Sequence, residues 1–326
     1  MKRTTHSLGE FSWIWLVTLA VFGLSALMAP GSVQPSSLVN MLPFAGILAI
    51  AAVGQTLVIQ QRGLDLSVAG SVTLGGILVG HFTAAGYPVV LSWSLAVAAT
   101  TVAGALSGVL VARLSITPLV ATLAANALLL GAVRSVSSGF PVSASDNLRE
   151  FARGRALGVP HSMLLALLFV VVAALVTRKT VAGRRFTAVG AGERAAEAAG
   201  VPAWRYQLGT YSAAGFCYGT AGILLTGFIG SASPDMGNGY LLPVITAVVV
   251  GGTPFTGGRG SVVASAVAAL FMTQLSQLAL SLGVPSSGQL LLQASVLVLA
   301  VAVRRIPFRI LRSGWPRVAL PVSRER

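Results

Sequence analysis

The chain has 326 residues, 55% of them hydrophobic and 9% charged, with a mean hydropathy of +0.83 and a formal net charge of +14. These proportions exclude a soluble globular domain, in which about a quarter of residues are charged. The positive balance requires no nucleic acid, because basic loops facing anionic lipid at a membrane edge account for it.

Apolar runs of about 17 to 25 residues cross about 30 Å of hydrocarbon when helical. Ten such runs occur, near 12–29, 38–60, 68–86, 89–112, 117–136, 162–177, 207–230, 241–257, 261–281 and 288–303. The predicted fold is an all-α integral membrane protein of about ten transmembrane helices. The strictly alternating segments of a membrane barrel are not what these runs show. Residues 1–11 form a short N-terminus, 12–303 a single transmembrane domain with a large polar loop at 178–206, and 304–326 a basic tail. Lys2 and Arg3 ahead of Trp13–Met28 imitate a signal peptide, but the preferred reading keeps this run as the first span.

Basic residues gather on the cytoplasmic side of membrane proteins. With ten spans and both termini cytoplasmic, 18 Lys and Arg residues fall inside and only Arg134, Arg149, Arg153 and Arg155 outside. This topology also places the 178–206 loop in the cytoplasm.

In chain order, the first informative stretch is Gly54–Val72, where Gln55, Gln60, Gln61, Arg62, Asp65 and Ser67 interrupt the apolar pattern. Interrupted helices of this kind line pathways in transporters. Asp65 is the one carboxylate close to a span, and either it or Ser67 can cap the third helix. A plain Arg62–Asp65 ion pair at the membrane edge is the alternative. Gln55, Asp65, Ser67 and Gln274 are the candidates for a translocation pathway or gate. Gln277, Gln289, Gln293 and Asn126 are further polar groups within spans, suited to interhelical hydrogen bonds or to a neutral solute.

The longest outer loop, Ser137–Pro160, carries Asp146, Arg149, Glu150, Arg153 and Arg155; it is either a landing surface for a soluble binding protein or a hydrated connector. Ala188–Pro202 reads as a helix of about two turns, with alanines favouring helix, Glu193 near the positive end of the dipole, and Gly200 with Pro202 as a stop. Its readings are a connector between spans or a helix gripped by another protein. The glycines at 251, 252, 257, 258 and 260 mark a non-helical turn or close helix packing.

Chemistry on a substrate is not expected. Cys217 is the single cysteine, the three histidines are scattered, and no metal or catalytic constellation can be assembled. Lys2 and Lys179 are the only lysines, and neither stands in a phosphate-binding loop. If ATP drives this protein, a separate subunit binds it and couples through a cytoplasmic surface.

The segment Glu193-Arg194-Ala195-Ala196-Glu197-Ala198-Ala199-Gly200 resembles the E-A-A-x-x-x-G type motif of ABC importer permeases. Gly63-Leu64-Asp65-Leu66-Ser67-Val68-Ala69-Gly70 resembles the G-I-D-L-S-V-G segment of their ribose-permease-like family, and VVVGGTPFTGGRGSVV at 248–263 is similar to a second segment of that family. The resemblance runs from Leu38 to Val303. It departs from the family pattern at Gln61-Arg62, where small residues are usual, at Pro254-Phe255, and at Glu193-Arg194. The resemblance implies a permease subunit of the bacterial inner membrane that imports a monosaccharide, a pentose or hexose. It implies as partners an ABC ATPase holding ATP and Mg, a periplasmic or extracellular sugar-binding protein, and a second permease copy or paralogue. Glu193, Arg194, Ala195, Ala196, Glu197 and Gly200 would then contact the ATPase, and no cofactor would bind this chain. The competing expectation is an ion-coupled secondary transporter of a small polar solute, for which Asp65 is the only acidic candidate.

Overall fold

A computed structural model describes the backbone of residues 11–305 and the side chains of residues 11–303. The predicted N-terminal segment and basic tail, with the charges counted there, lie almost wholly outside the described residues. The chain is a helical bundle. In order it runs through α1 (Trp13–Met28), a 3-10 turn (Pro30–Val33), α2 (Pro35–Gln60), α3 (Val68–Ala84), α4 (Val89–Ala112) and α5 (Pro118–Ser137). It continues with β1 (Val142–Ser143), α6 (Asp146–Arg153), β2 (Arg155–Ala156), β3 (Val159–Pro160), α7 (His161–Lys179), α8 (Val181–Ala191) and α9 (Glu193–Ala198). The last elements are α10 (Ala203–Ile229), β4 (Ser231–Ala232), α11 (Asn238–Val250), α12 (Val262–Ser281) and α13 (Ser286–Arg305).

Each of the ten predicted runs corresponds to one apolar helix. Seven are long and apolar enough to cross a membrane, while α1, α3 and α11 are shorter. The run expected at 241–257 stops at Val250, because Gly251 and Gly252, the latter at φ +107°, turn the chain out of the helix.

Helices α2 and α10 are mostly buried and form the centre of the bundle, with α3 and α4 packed on α10 and α12 on α2. Their approach is close because small residues face one another. A β-carbon on Gly75 of α3 would lie 2.6 Å from the Gly219 carbonyl oxygen of α10, and one on Gly54 of α2 would lie 3.0 Å from Ala214 Cα. Tyr218 and Tyr211 of α10 are the largest fully buried side chains. By contrast α5, α7 and α13 expose rows of large apolar residues such as Leu128, Leu167 and Leu291, as lipid-facing helices do.

One end of the bundle carries α8, α9, the 61–67 turn and the 251–261 loop; the other carries the connection between α5 and α7. That connection is more ordered than the predicted loop. β1 pairs antiparallel with β4 and β2 with β3, and α6 lays Leu148 and Ala152 onto Gly227 of α10. The arginines of α6 have a local task. Arg153 donates to the carbonyls of Phe228 and Ile229 at 3.0 and 3.3 Å, and Arg149 donates to that of Gly230 at 3.1 Å. These carbonyls end α10, where cations satisfy both orphan acceptors and the dipole. The sequence could not show this, because the two partners are about 80 residues apart in the chain.

Candidate functional site

At the end of the bundle that carries α8, the helix expected over Ala188–Pro202 is two helices. α8 runs to Ala191, Gly192 takes an extended conformation, and α9 is a single short helix from Glu193 to Ala198. The stop falls as expected, with Gly200 at φ +78°. Ala196 is the one residue of α9 that is buried, packed with Val189 and Ala203. Glu193, Arg194, Ala195, Glu197, Ala198 and Gly200 are exposed. The outer face therefore alternates charge with bare methyl groups. A face so small in side-chain volume lets a partner backbone approach closely, and its charges can set orientation.

The bundle beneath is tied to this surface. Gln61 Nε2 donates to the Phe186 carbonyl at 2.7 Å, and Arg62 Nε donates to that of Gly190 at 2.9 Å. The Arg62–Asp65 ion pair, the alternative reading of this stretch, does not form, because Arg62 turns to the end of α8. Asp65 instead accepts from Ser67 N at 2.8 Å and from Ser67 Oγ at 2.6 Å, which fixes the turn into α3. Ser67 is the N-cap residue of α3, and its hydroxyl serves Asp65 rather than the helix. Burial pushes the Asp65 carboxyl up to about 6, against the lowering effect of the Ser67 bonds.

Gln55 and Gln274 both lie in the interior. Gln55 Oε1 accepts from the Tyr218 hydroxyl at 2.6 Å, joining α2 to α10, while its Nε2 has no partner among the described residues. Neither amide atom of Gln274 has one there.

A cavity of about 290 Å3 opens in the other half of the bundle, between α2, α11, α12 and α13. Gln277, Gln289 and Gln293 line it together with Thr273, Ser276 and Tyr240, over a floor that includes Met41, Phe44 and Met272. Its lining carries no charged residue. Gln274, one position from Thr273, is not part of it. The cavity glutamines are thus a different set from Gln55 and Gln274, since residues 273, 276, 277 and 280 share one face of α12.

The family described as the branched-chain amino acid transport system / permease component matches residues 37–301. The chain belongs to this permease family. The ribose import permease protein RbsC of Bacillus subtilis (strain 168) is 32% identical over 303 residues, covering 92% of this chain and 93% of that protein. The same-named protein of Escherichia coli (strain K12) is 32% identical over 313 residues, covering 92% and 98%. The autoinducer 2 import system permease protein LsrD of Escherichia coli (strain SMS-3-5 / SECEC) is 32% identical over 312 residues, covering 90% and 92%. No solved structure gives a significant match. In this permease the family segment at Gly63–Gly70 is the Asp65–Ser67 turn into α3, and the segment at 248–263 is the end of α11 with the glycine loop entering α12. Both lie at the end of the bundle where α8 meets α2.

Proposed function

We propose that this permease is the membrane subunit of an ATP-driven, binding-protein-dependent importer of a neutral polyhydroxylated solute, a monosaccharide of the pentose or hexose class. The observation that carries the reading is α9: a short helix whose one buried side chain is Ala196, with its charged and methyl-lined face turned outward. Here an ATPase subunit holding ATP and Mg docks, and this chain hydrolyses nothing itself. The bundle spans the inner membrane ten times with both termini cytoplasmic. Arg62, Arg113, Arg178, Lys179, Arg184, Arg185, Arg194, Arg205 and Arg259 lie at the α8 end, in keeping with the positive-inside rule.

The cavity supports the solute class. Amides and hydroxyls on an apolar floor suit a ligand with many hydroxyls and no net charge, whereas the ionised groups of an amino acid would call for charged partners. Gln55 and Gln274 extend the polar groups deeper into the bundle along the route between facing states. A second copy or a paralogue completes the pathway, and a binding protein delivers the solute to the end carrying α6. Asp65, the one acidic candidate for ion coupling, has a role in the fold, since its Oδ1 accepts both Ser67 bonds in the turn into α3.

The test is co-purification of the cognate ATPase with the wild-type chain and with a Glu193→Arg, Glu197→Arg variant, followed by ATPase assays with binding protein and a sugar panel. The reading expects association and sugar-stimulated hydrolysis in the wild type only. Failure of any ATPase to associate with folded wild type overturns it. For the route, unchanged Km and Vmax of uptake in a Gln55→Leu, Gln274→Leu double variant would remove those two residues from it.

A further inference from the structure

Three segments meet where α2 ends. The Arg62 guanidinium donates through Nε to the Gly190 carbonyl at 2.9 Å and through Nη2 to that of Ala191, the last carbonyls of α8. The Gln60 carbonyl accepts from the Gly258 N–H at 2.9 Å, which brings in the loop that feeds α12. Glycine is required for this meeting. A β-carbon on Gly190 would collide with the Gln60 carbonyl, and one on Gly258 would lie 2.8 Å from Ala191 Cα. A second strut runs beside it, where Arg178 Nη2 donates at 3.1 Å to the hydroxyl of Ser261, the N-cap residue of α12.

Arg62 is held at φ +62°, in the left-handed region that a non-glycine residue occupies at a cost. What offsets that cost is a cation on two orphan carbonyls at the negative end of a helix. Gly192 alone separates those carbonyls from α9, and the helices at the other side of the junction, α2 and α12, both line the cavity.

We propose that Arg62 is a positioning residue for energy coupling: it clamps the end of α8 to the end of α2, so that displacement of α9 by the ATPase is passed to the cavity helices instead of being absorbed at Gly192. The clamp rests on the proposed importer function. It makes no contact with solute or with ATP; it fixes the geometry through which one acts on the other. Gln61, donating to Phe186, holds the same two segments in register, and Arg178, in the last turn of α7 just ahead of α8, ties that neighbouring helix to the start of α12.

The experiment uses the assembled transporter in proteoliposomes, with wild-type, Arg62→Ala, Arg62→Lys and Arg178→Ala permease. It reads ATPase co-purification, basal hydrolysis, and solute moved per ATP hydrolysed. Arg62→Ala is expected to retain the ATPase and its basal rate while solute moved per ATP falls by about tenfold, the size of a typical coupling between sites. Arg62→Lys, which keeps the charge but loses the rigid fork that spans the two carbonyls, is expected to recover part of the ratio. Arg178→Ala is expected to give a smaller loss. An unchanged ratio in Arg62→Ala overturns the clamp while leaving the importer reading intact, whereas a wild-type chain that binds no ATPase overturns that reading first. If Arg62→Ala fails to assemble, Arg62→Lys and Arg178→Ala decide: wild-type ratios in both refute the proposal.

Discussion

Two glycine-to-alanine changes are expected to move stability in opposite directions. In α3, a β-carbon at Gly75 would stand 2.6 Å from the Gly219 carbonyl oxygen and 2.9 Å from its Cα, both in the backbone of α10. Ordinary contact begins at 3.4 Å, so the helices must part by about 0.8 Å. Retreat is blocked on both sides. α10 lies so close to α2 that a β-carbon on Gly54 would stand 3.0 Å from Ala214 Cα, and on α3 a β-carbon at Gly70 would find Leu129 Cβ of α5 at 2.7 Å. Overpacking of this kind costs about 1–3 kcal/mol, partly offset by the helix preference of alanine over glycine, about 1 kcal/mol. In α10 itself, Gly209 is exposed and has no atom within 4 Å of its β-carbon position, so Gly209→Ala collects the helix preference without the clash. Because both variants gain that preference, the pair should differ by the overpacking cost, about 1–3 kcal/mol. Unfolding of the purified permease in mixed micelles by rising SDS fraction measures both. Equal shifts in the two variants would refute the account of small-residue packing at the centre of the bundle.

Three further outcomes follow from single contacts. Burial raises the Asp65 carboxyl from 3.8 to about 6, so the folded chain holds its proton more tightly than the unfolded chain. The stability this contributes is complete below about pH 3.8 and is lost as pH rises through about 6, a difference of about 3 kcal/mol. Asp65→Asn should flatten the melting profile between about pH 4 and 7, and a flat wild-type profile would contradict the assignment. Arg149→Ala with Arg153→Ala should lower stability by about 1–2 kcal/mol through the uncapped end of α10, and unfolding in SDS that matches the wild type would show that water caps it as well. The Arg113 guanidinium stacks 3.8 Å from the Trp204 ring centroid, joining the end of α4 to the start of α10. Arg113→Ala should cost about 0.5–1 kcal/mol, and Arg113→Lys less, in the same assay.

The Arg149 and Arg153 result bears on how a docking loop is recognised. Arginines in a long outer loop read as a landing surface only so long as nothing nearer can take their hydrogen bonds. Both bind the end of α10, so a charge reversal there would test helix capping and docking together. Exposed Glu150 and Arg155, which make none of those bonds, are the better probes of a partner.

The sequence by itself determined the helices. An apolar run must satisfy its own backbone in lipid, so length and hydropathy place one helix in each run, although the run read to 257 ends at Val250, and Gly200 and Gly252 take a positive φ that few other residues adopt. It also marked 193–200 as a local helix with a glycine stop, but not that Ala196, grouped there with the outward residues, is turned in against Val189 and Ala203. What only the tertiary structure decided is which polar groups meet. Asp65 turned to Ser67 and not to Arg62, Gln55 found Tyr218 across 163 positions, and Arg62 reached Gly190 across 128. Such pairings depend on the relative height and rotation of helices, which are set by glycine clearances on both partners at once; a periodicity read along one helix carries no information about the other.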